Sequence, residues 1–360
     1  MKKLARQWLS CLPGVGASLG IAVVATLLAD LLDKLLGTHL IGAAVIAMFI
    51  GMGVNAVRKP GKLLTPGLKF TSKKLLKFAI ILLGASLSID VILDVGRMSL
   101  LVMVFTLATC FGLGYFSGRA LGLNWKMSNL ISAGTGICGG SAIAAIAPTI
   151  DADDTDVAFA MSATFLFDMA MILLFPLMGR AMGLSDQAFG LWAGTAVNDT
   201  SSVVATGYAF SEAAGDFATM VKLTRTLCII PTVIIFALIS VRLKRREALA
   251  QGSTQEIRAN VSIAKIFPWF ILGFVAMACL KSLGCIPDSV SAVMKDVSKF
   301  LMVAALAAIG MNTSFATMRK SGARPMLHGF IISALVVIVA IAVEYAMHLM
   351  GWLELFAPAA

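Results

Sequence analysis

The stretch "GTGICGGSAIAAIAP", Gly134–Pro148, sits in a segment apolar and long enough to cross a bilayer, yet four of its first seven residues are glycine. Each glycine weakens a helix by ~1 kcal/mol relative to alanine. In hydrocarbon, unwound backbone persists only where protein or a water-filled cavity satisfies its polar groups. Glycine also permits unusual dihedrals and close backbone approach. The expected structure is a helix broken at "GTGICGG", with a second half-helix beginning near Ser141. That half-helix would present free N–H groups and the positive end of its dipole at mid-membrane, a place suited to an anion. Gly134, Thr135, Gly136, Cys138, Gly139, Gly140 and Ser141 are therefore candidate substrate contacts, with Thr135 and Ser141 adding hydroxyls. The competing reading is helix packing through small residues; Gly136 and Gly140 have the four-residue spacing of such a seam, but Gly134 and Gly139 do not extend it.

The surrounding chain supports a membrane setting. Of 360 residues, 59% are hydrophobic and 13% charged, against roughly 25% charged in soluble domains; the mean hydropathy is +0.92. Eleven apolar segments of spanning length are expected near 14–33, 38–57, 75–95, 98–118, 129–150, 157–179, 187–209, 220–241, 266–285, 299–318 and 326–350. The expected fold is an all-α polytopic membrane protein, a single domain over 1–360 with a cytoplasmic linker at 242–265.

The formal charge of +10 reflects topology rather than nucleic-acid binding. Alternate loops, starting from the N-terminus, hold 22 of the Lys and Arg residues, against 7 elsewhere. The positive-inside rule makes those loops cytoplasmic. The N-terminus is then inside, the C-terminus outside, and the acidic run "DADDTD", Asp151–Asp156, external. Six cysteines without paired spacing read as buried packing thiols, and three histidines offer no metal set. No metal, cofactor or catalytic residue is expected.

A second polar stretch is "GTAVNDTSSVVATG", Gly194–Gly207. Asn198, Asp199, Thr200, Ser201 and Ser202 would point all round one helical turn, so they line a cavity or a protein interior and are candidate substrate contacts. Asp199 and Asp168, in "TFLFDMAMILLFP", are candidate proton or ion-coupling groups, because carboxylates at membrane depth are costly and mark ion paths. Lys222 and Arg225 lie three residues apart on one face near the expected external end of their span. They either snorkel to the surface or draw an anion from a vestibule. Glu344 and Glu354 read as surface-seeking. Residues 72–96 align without gaps on 298–322, suggesting a repeat of 38–96 in 264–322 with inverted topology, the construction of many secondary transporters.

"GLKFTSKKLLKFAIILLGASLS", "GTGICGGSAIAA", "GTAVNDTSSVVATG" and "KSGARPML" together resemble the YeiH-type sulfate exporter family of bacterial inner-membrane proteins. The resemblance covers nearly the whole chain. It implies a multi-span secondary transporter of an inorganic or small organic anion. The chain departs from the family pattern at Asn198, where histidine is usual, and at Ser202, where glutamine is frequent. Losing an imidazole removes a natural proton carrier, so coupling moves to Asp199 or Asp168, or the substrate differs. The expected partners are a small anion, a coupling H⁺ or Na⁺ and the lipid bilayer, with a homodimer among the assemblies allowed. The alternative is an organic-acid symporter or cation/proton antiporter working through Asp168 and Asp199. An intramembrane enzyme has no support, since neither H-E-x-x-H nor G-x-S-x-G occurs.

Overall fold

The computed structural model describes residues 2–36, 43–250, 268–312 and 322–356. The helices are α1 (Lys2–Leu36), α2 (Ala43–Val57), α3 (Thr65–Phe70), α4 (Leu76–Gly84), α5 (Ile89–Ala108), α6 (Gly114–Ala120), α7 (Trp125–Ala133), α8 (Gly140–Ile146), α9 (Asp154–Ala181), α10 (Asp186–Ala196), α11 (Thr200–Phe210), α12 (Glu212–Leu227), α13 (Ile229–Ala250), α14 (Trp269–Ser282), α15 (Asp288–Asn312) and α16 (Ala323–Leu349). Wider π-helical turns at Thr71–Leu75 and Thr109–Leu113 join α3 to α4 and α5 to α6. Among the described residues, five stretches are long and apolar enough to cross a membrane: Ser10–Leu31, Ile89–Ala120, Thr155–Ala181, Glu212–Leu243 and Ala323–Leu349. Shorter apolar helices, among them α2 and α14, accompany them.

Small residues set the helix crossings. Gly14 of α1 meets Gly67 of α3 backbone to backbone, and Gly51 of α2 meets α15 at Ala307–Met311, with Gly310 against Met48. A side chain at either glycine of the second pair would strike backbone, so α2 and α15 approach closely only because both are glycine. Asn55 seals that crossing by donating its Nδ2 to Met311 O at 2.5 Å. Ser298 and Ser291 of α15 donate to Ala79 O (2.6 Å) and Ala85 O (2.9 Å), so α4 and α15 run antiparallel.

These contacts define two ends of the molecule. The proximal end carries the start of α1 and α3; the distal end carries the α4–α5 turn, where Ile89 N donates to Ser282 Oγ. That turn differs from the boundary expected between residues 95 and 98. Ser88 caps α5 through Val91 N, with Asp90 in the first turn, and these start signals outweigh Arg97, which lies within the helix.

The main correction concerns two expected crossings, 129–150 and 187–209. Neither segment reaches the opposite end. Lys126 Nζ donates to Asp151 O (2.6 Å), and Asn124 Nδ2 to Asp156 Oδ1 (3.0 Å). α7 and α8 therefore form a hairpin that enters from the proximal end and returns to it. Likewise Ser211 Oγ donates to Asp186 Oδ1 (2.6 Å), and Arg180 reaches the carbonyls of Ala209 and Phe210. α10 and α11 form a second hairpin, from the distal end. Asp151–Asp156 thus shares an end with Lys126, and Arg180 lies at the other end, the reverse of the expected loops. Each hairpin removes one crossing, so the start of α1 and Leu355 still lie at opposite ends; Ser185 N donates to Leu355 O at the distal side.

The expected repeat and linker fall partly outside the described residues, at 38–42, 264–267 and 313–321 for the repeat and 251–265 for the linker. Within the described part, Arg242–Ala250 continues α13.

Candidate functional site

The two hairpin tips meet inside the molecule. In hairpin 1, Asn124 Oδ1 caps α7 by accepting from Met127 N (2.7 Å). The helix then widens into a π turn over Gly134–Cys138, closed by Gly139 N donating to Gly134 O (2.9 Å). Gly139 has φ 64° and ψ −134°, a conformation that only glycine adopts without strain. α8 starts at the next residue. In hairpin 2, Ser185 caps α10, which ends at Ala196; Val197 and Asp199 are extended. Asp199 then caps α11, its Oδ2 accepting from Ser201 N (2.9 Å) and from Ser201 Oγ. The "NDTSS" cluster is therefore a break followed by a helix start, not one continuous turn. The capping acid begins a new helix where the apolar pattern alone suggested a single one.

The tips approach each other at Gly139 and Asp199. A Cβ on Gly139 would lie 3.0 Å from both Cβ and Oδ1 of Asp199. The carbonyl ends of α7 and α10 and the amide end of α11 each face a complementary charge, as the helix dipole favours. Arg225 donates from Nε to Gly136 O (2.7 Å) and from one terminal nitrogen to Thr135 O (2.7 Å). Lys222 Nζ donates to Ile137 O (2.8 Å) and to Val197 O (2.9 Å), which Arg225 also reaches at 3.4 Å. The two cations thus close the carbonyl ends of α7 and α10. At the amide end, Asp168 accepts from Asn198 N (2.9 Å) and Asp199 N (3.0 Å) with its two oxygens.

Lys222 and Arg225 are fully buried. They neither snorkel nor line a vestibule, because the carbonyls of two broken helices meet them at depth. Asp168, Gly134, Thr135, Gly136, Cys138, Gly139, Asn198, Ser201 and Ser202 are buried as well; Gly140, Asp199 and Thr200 are half-buried and Ser141 is exposed. Thr135 Oγ1 and Asn198 Oδ1 are buried with no hydrogen-bond partner among the described residues. Leaving such atoms unsatisfied costs about 1–3 kcal/mol each. The site therefore brings together the candidates from both motifs with Asp168, Lys222 and Arg225.

Sequence reasoning missed Thr164, whose carbonyl accepts from Asn198 Nδ2 (3.4 Å); a backbone acceptor leaves no signal in residue type. It also misplaced Glu344, which is fully buried with both carboxylate oxygens unpartnered among the described residues. Its place near a helix end suggested the surface, but the segment after Leu349 folds back against Leu184 and Ser185 and covers that end.

A helical bundle of this apolar character, with several helices long and apolar enough to cross a bilayer, is an integral membrane protein. The chain belongs to the family described as "Conserved hypothetical protein 698", which matches residues 13–329 and is the YeiH-type family. It is 52% identical to a UPF0324 membrane protein of Clostridium tetani over 91% of this chain and 96% of that one. It is 39% identical to a UPF0324 membrane protein of Streptococcus pneumoniae serotype 4 (87% and 92%) and 40% identical to one of Streptococcus pyogenes serotype M3 (86% and 91%). No solved structure matches.

Proposed function

We propose that the protein is a secondary transporter of a small anion, such as sulfate or a related oxyanion or sulfonate. In this reading it works by alternating access in the bacterial inner membrane, with the N-terminus cytoplasmic. The substrate binds where the tips meet, and the carrying observation is the convergence itself. Two hairpins enter from opposite ends and stop at one point, beside two buried cations and two unpartnered polar atoms. Interrupted helices whose termini face a common point are a recurring transporter device.

Sequence supports reading the hairpins as an inverted pair. With a shift of 60 residues, Gly134-Thr135 falls on Gly194-Thr195, Gly139 on Asp199, Ser141 on Ser201 and Ala145 on Ala205. This pair is a different repeat from that expected between 38–96 and 264–322. Hydroxyls of Thr135, Ser141, Thr200 and Ser202 supply donors for a tetrahedral anion. Lys222 and Arg225 supply positive potential while their hydrogen bonds hold the tips.

Asp199 favours the coupling role over Asp168, whose two oxygens are both occupied by backbone N–H groups. Protonation of Asp199 would remove a negative charge beside the anion and so link the two. The same half-buried carboxylate supports the second reading, a cation/proton antiporter in which no anion moves. Purified protein in liposomes, given labelled sulfate, sulfite, sulfonates and dicarboxylates with and without a pH gradient, decides between them. Saturable uptake of one anion, lost in Gly139→Leu and losing its gradient dependence in Asp199→Asn, is the expected result. Proton or sodium exchange with no anion uptake would replace the leading reading by the second.

A further inference from the structure

The two hairpins are built alike but exposed differently. On α8 and the turn after it, the return arm of hairpin 1, Ser141, Ala144 and Pro148 are exposed, and Gly140, Ala145 and Thr149 are half-buried. Shifted by 60 residues, Ser141 and Ala144 correspond to Ser201 and Val204 of α11, which are 7% and 0% exposed. α11 is covered by α2 and α15 in addition to α9 and α12, whereas α8 packs against α7, α9 and α13.

The exposed face of α8 does not resemble a lipid-facing one. α5 exposes Leu93, Leu100 and Val104, and α9 exposes Leu173, Leu174 and Leu177. α8 exposes one hydroxyl and small side chains. Its inner end, at Ser141, lies two residues after Gly139, which sits against the half-buried Asp199, and close in sequence to the tip that holds the unpartnered Thr135 Oγ1; the other tip holds Asn198 Oδ1. Buried polar atoms without protein partners require water or a ligand, and a polar route from the proximal end along α8 supplies one.

We infer that this face of α8 lines a water-filled access path from the proximal end to the hairpin tips, and that the matching face of hairpin 2 is shut, so the structure is the proximal-open state. The inference rests on the transport reading for its purpose but not for its test. Single cysteines at Ser141, Ala144 and Ala145, and at their counterparts Ser201, Val204 and Ala205, are placed in the full chain with native cysteines replaced. Ser→Cys and Ala→Cys are close in size, and monodispersity of the purified variants checks folding. Membrane vesicles of either orientation then meet a membrane-impermeant maleimide. The expected result is labelling of Ser141→Cys and Ala144→Cys from the proximal side at least tenfold faster than labelling of Ser201→Cys and Val204→Cys from the distal side. Ala145→Cys and Ala205→Cys repeat the comparison should either serine variant fail to fold. Ser141→Cys and Ala144→Cys that react only in detergent would mean the face meets lipid, and equal rates at both hairpins would mean neither is shut; either result overturns the inference. The labelling pattern combined with absent anion uptake would leave the path standing and remove the anion reading.

Discussion

Hairpin 1 and hairpin 2 solve one problem in two ways. Each must reverse an apolar segment inside the molecule and dispose of the polar groups at two helix ends. Hairpin 1 turns through backbone freedom: a π turn, then Gly139 at positive φ, with no side-chain cap on α8. Hairpin 2 turns through side-chain chemistry: extended residues, then Asp199 as cap. The difference is not two independent choices. Asp199 crowds the space that a side chain at residue 139 would need, so the close approach of the tips and the positive φ at residue 139 together favour glycine there.

The largest expected effect breaks or keeps the hairpins themselves. A cysteine at Ala152 should be labelled from the same side as one at Lys126, and one at Gly183 from the opposite side. Labelling of positions 152 and 126 from opposite sides would restore the straight crossing and end the comparison. Next comes Arg225→Met, which leaves Thr135 O and Gly136 O without their donor. Two unsatisfied carbonyls at about 1–3 kcal/mol each predict a loss of roughly 2–6 kcal/mol, seen as a lower thermal unfolding midpoint in detergent. Amide exchange should accelerate first at Gly134–Gly140, and acceleration confined to hairpin 2 would contradict the assignment. A smaller effect is expected for Asp168→Asn, which keeps one acceptor for two N–H groups and should cost ~1–3 kcal/mol. Its faster exchange should appear at Asn198 and Asp199 and leave hairpin 1 unchanged.

Much of this was legible in the residues. Apolar length identified the membrane bundle, and the two glycine-threonine motifs drew attention to the stretches that form the hairpin tips. The reversal was not legible, because two half-length helices joined at a tip have the same composition and length as one spanning helix. Charge counting could not detect it either. Folding both segments back leaves the parity of the ends intact and moves only Arg180 among 29 basic residues. The pairings that do report it, Lys126 with Asp151 and Asp186 with Ser211, look like ordinary loop residues until the ends are brought together. Lys222 and Arg225 were misplaced for a related reason. Their acceptors are backbone carbonyls up to 90 residues away in sequence, invisible to any spacing rule along their own helix.

The order of these carbonyls and cations along the chain bears on how the protein is made. A basic residue at the centre of an apolar helix raises the cost of membrane insertion by about 3 kcal/mol, and α12 carries two. By the time Lys222 and Arg225 leave the ribosome, however, Thr135, Gly136, Ile137 and Val197 have already been synthesised. The acceptors are therefore available before the donors arrive. Biosynthesis in this order lets α12 enter the bilayer against partners already in place, whereas a permutation that placed α12 ahead of the hairpins would ask the insertion machinery to deliver both charges bare.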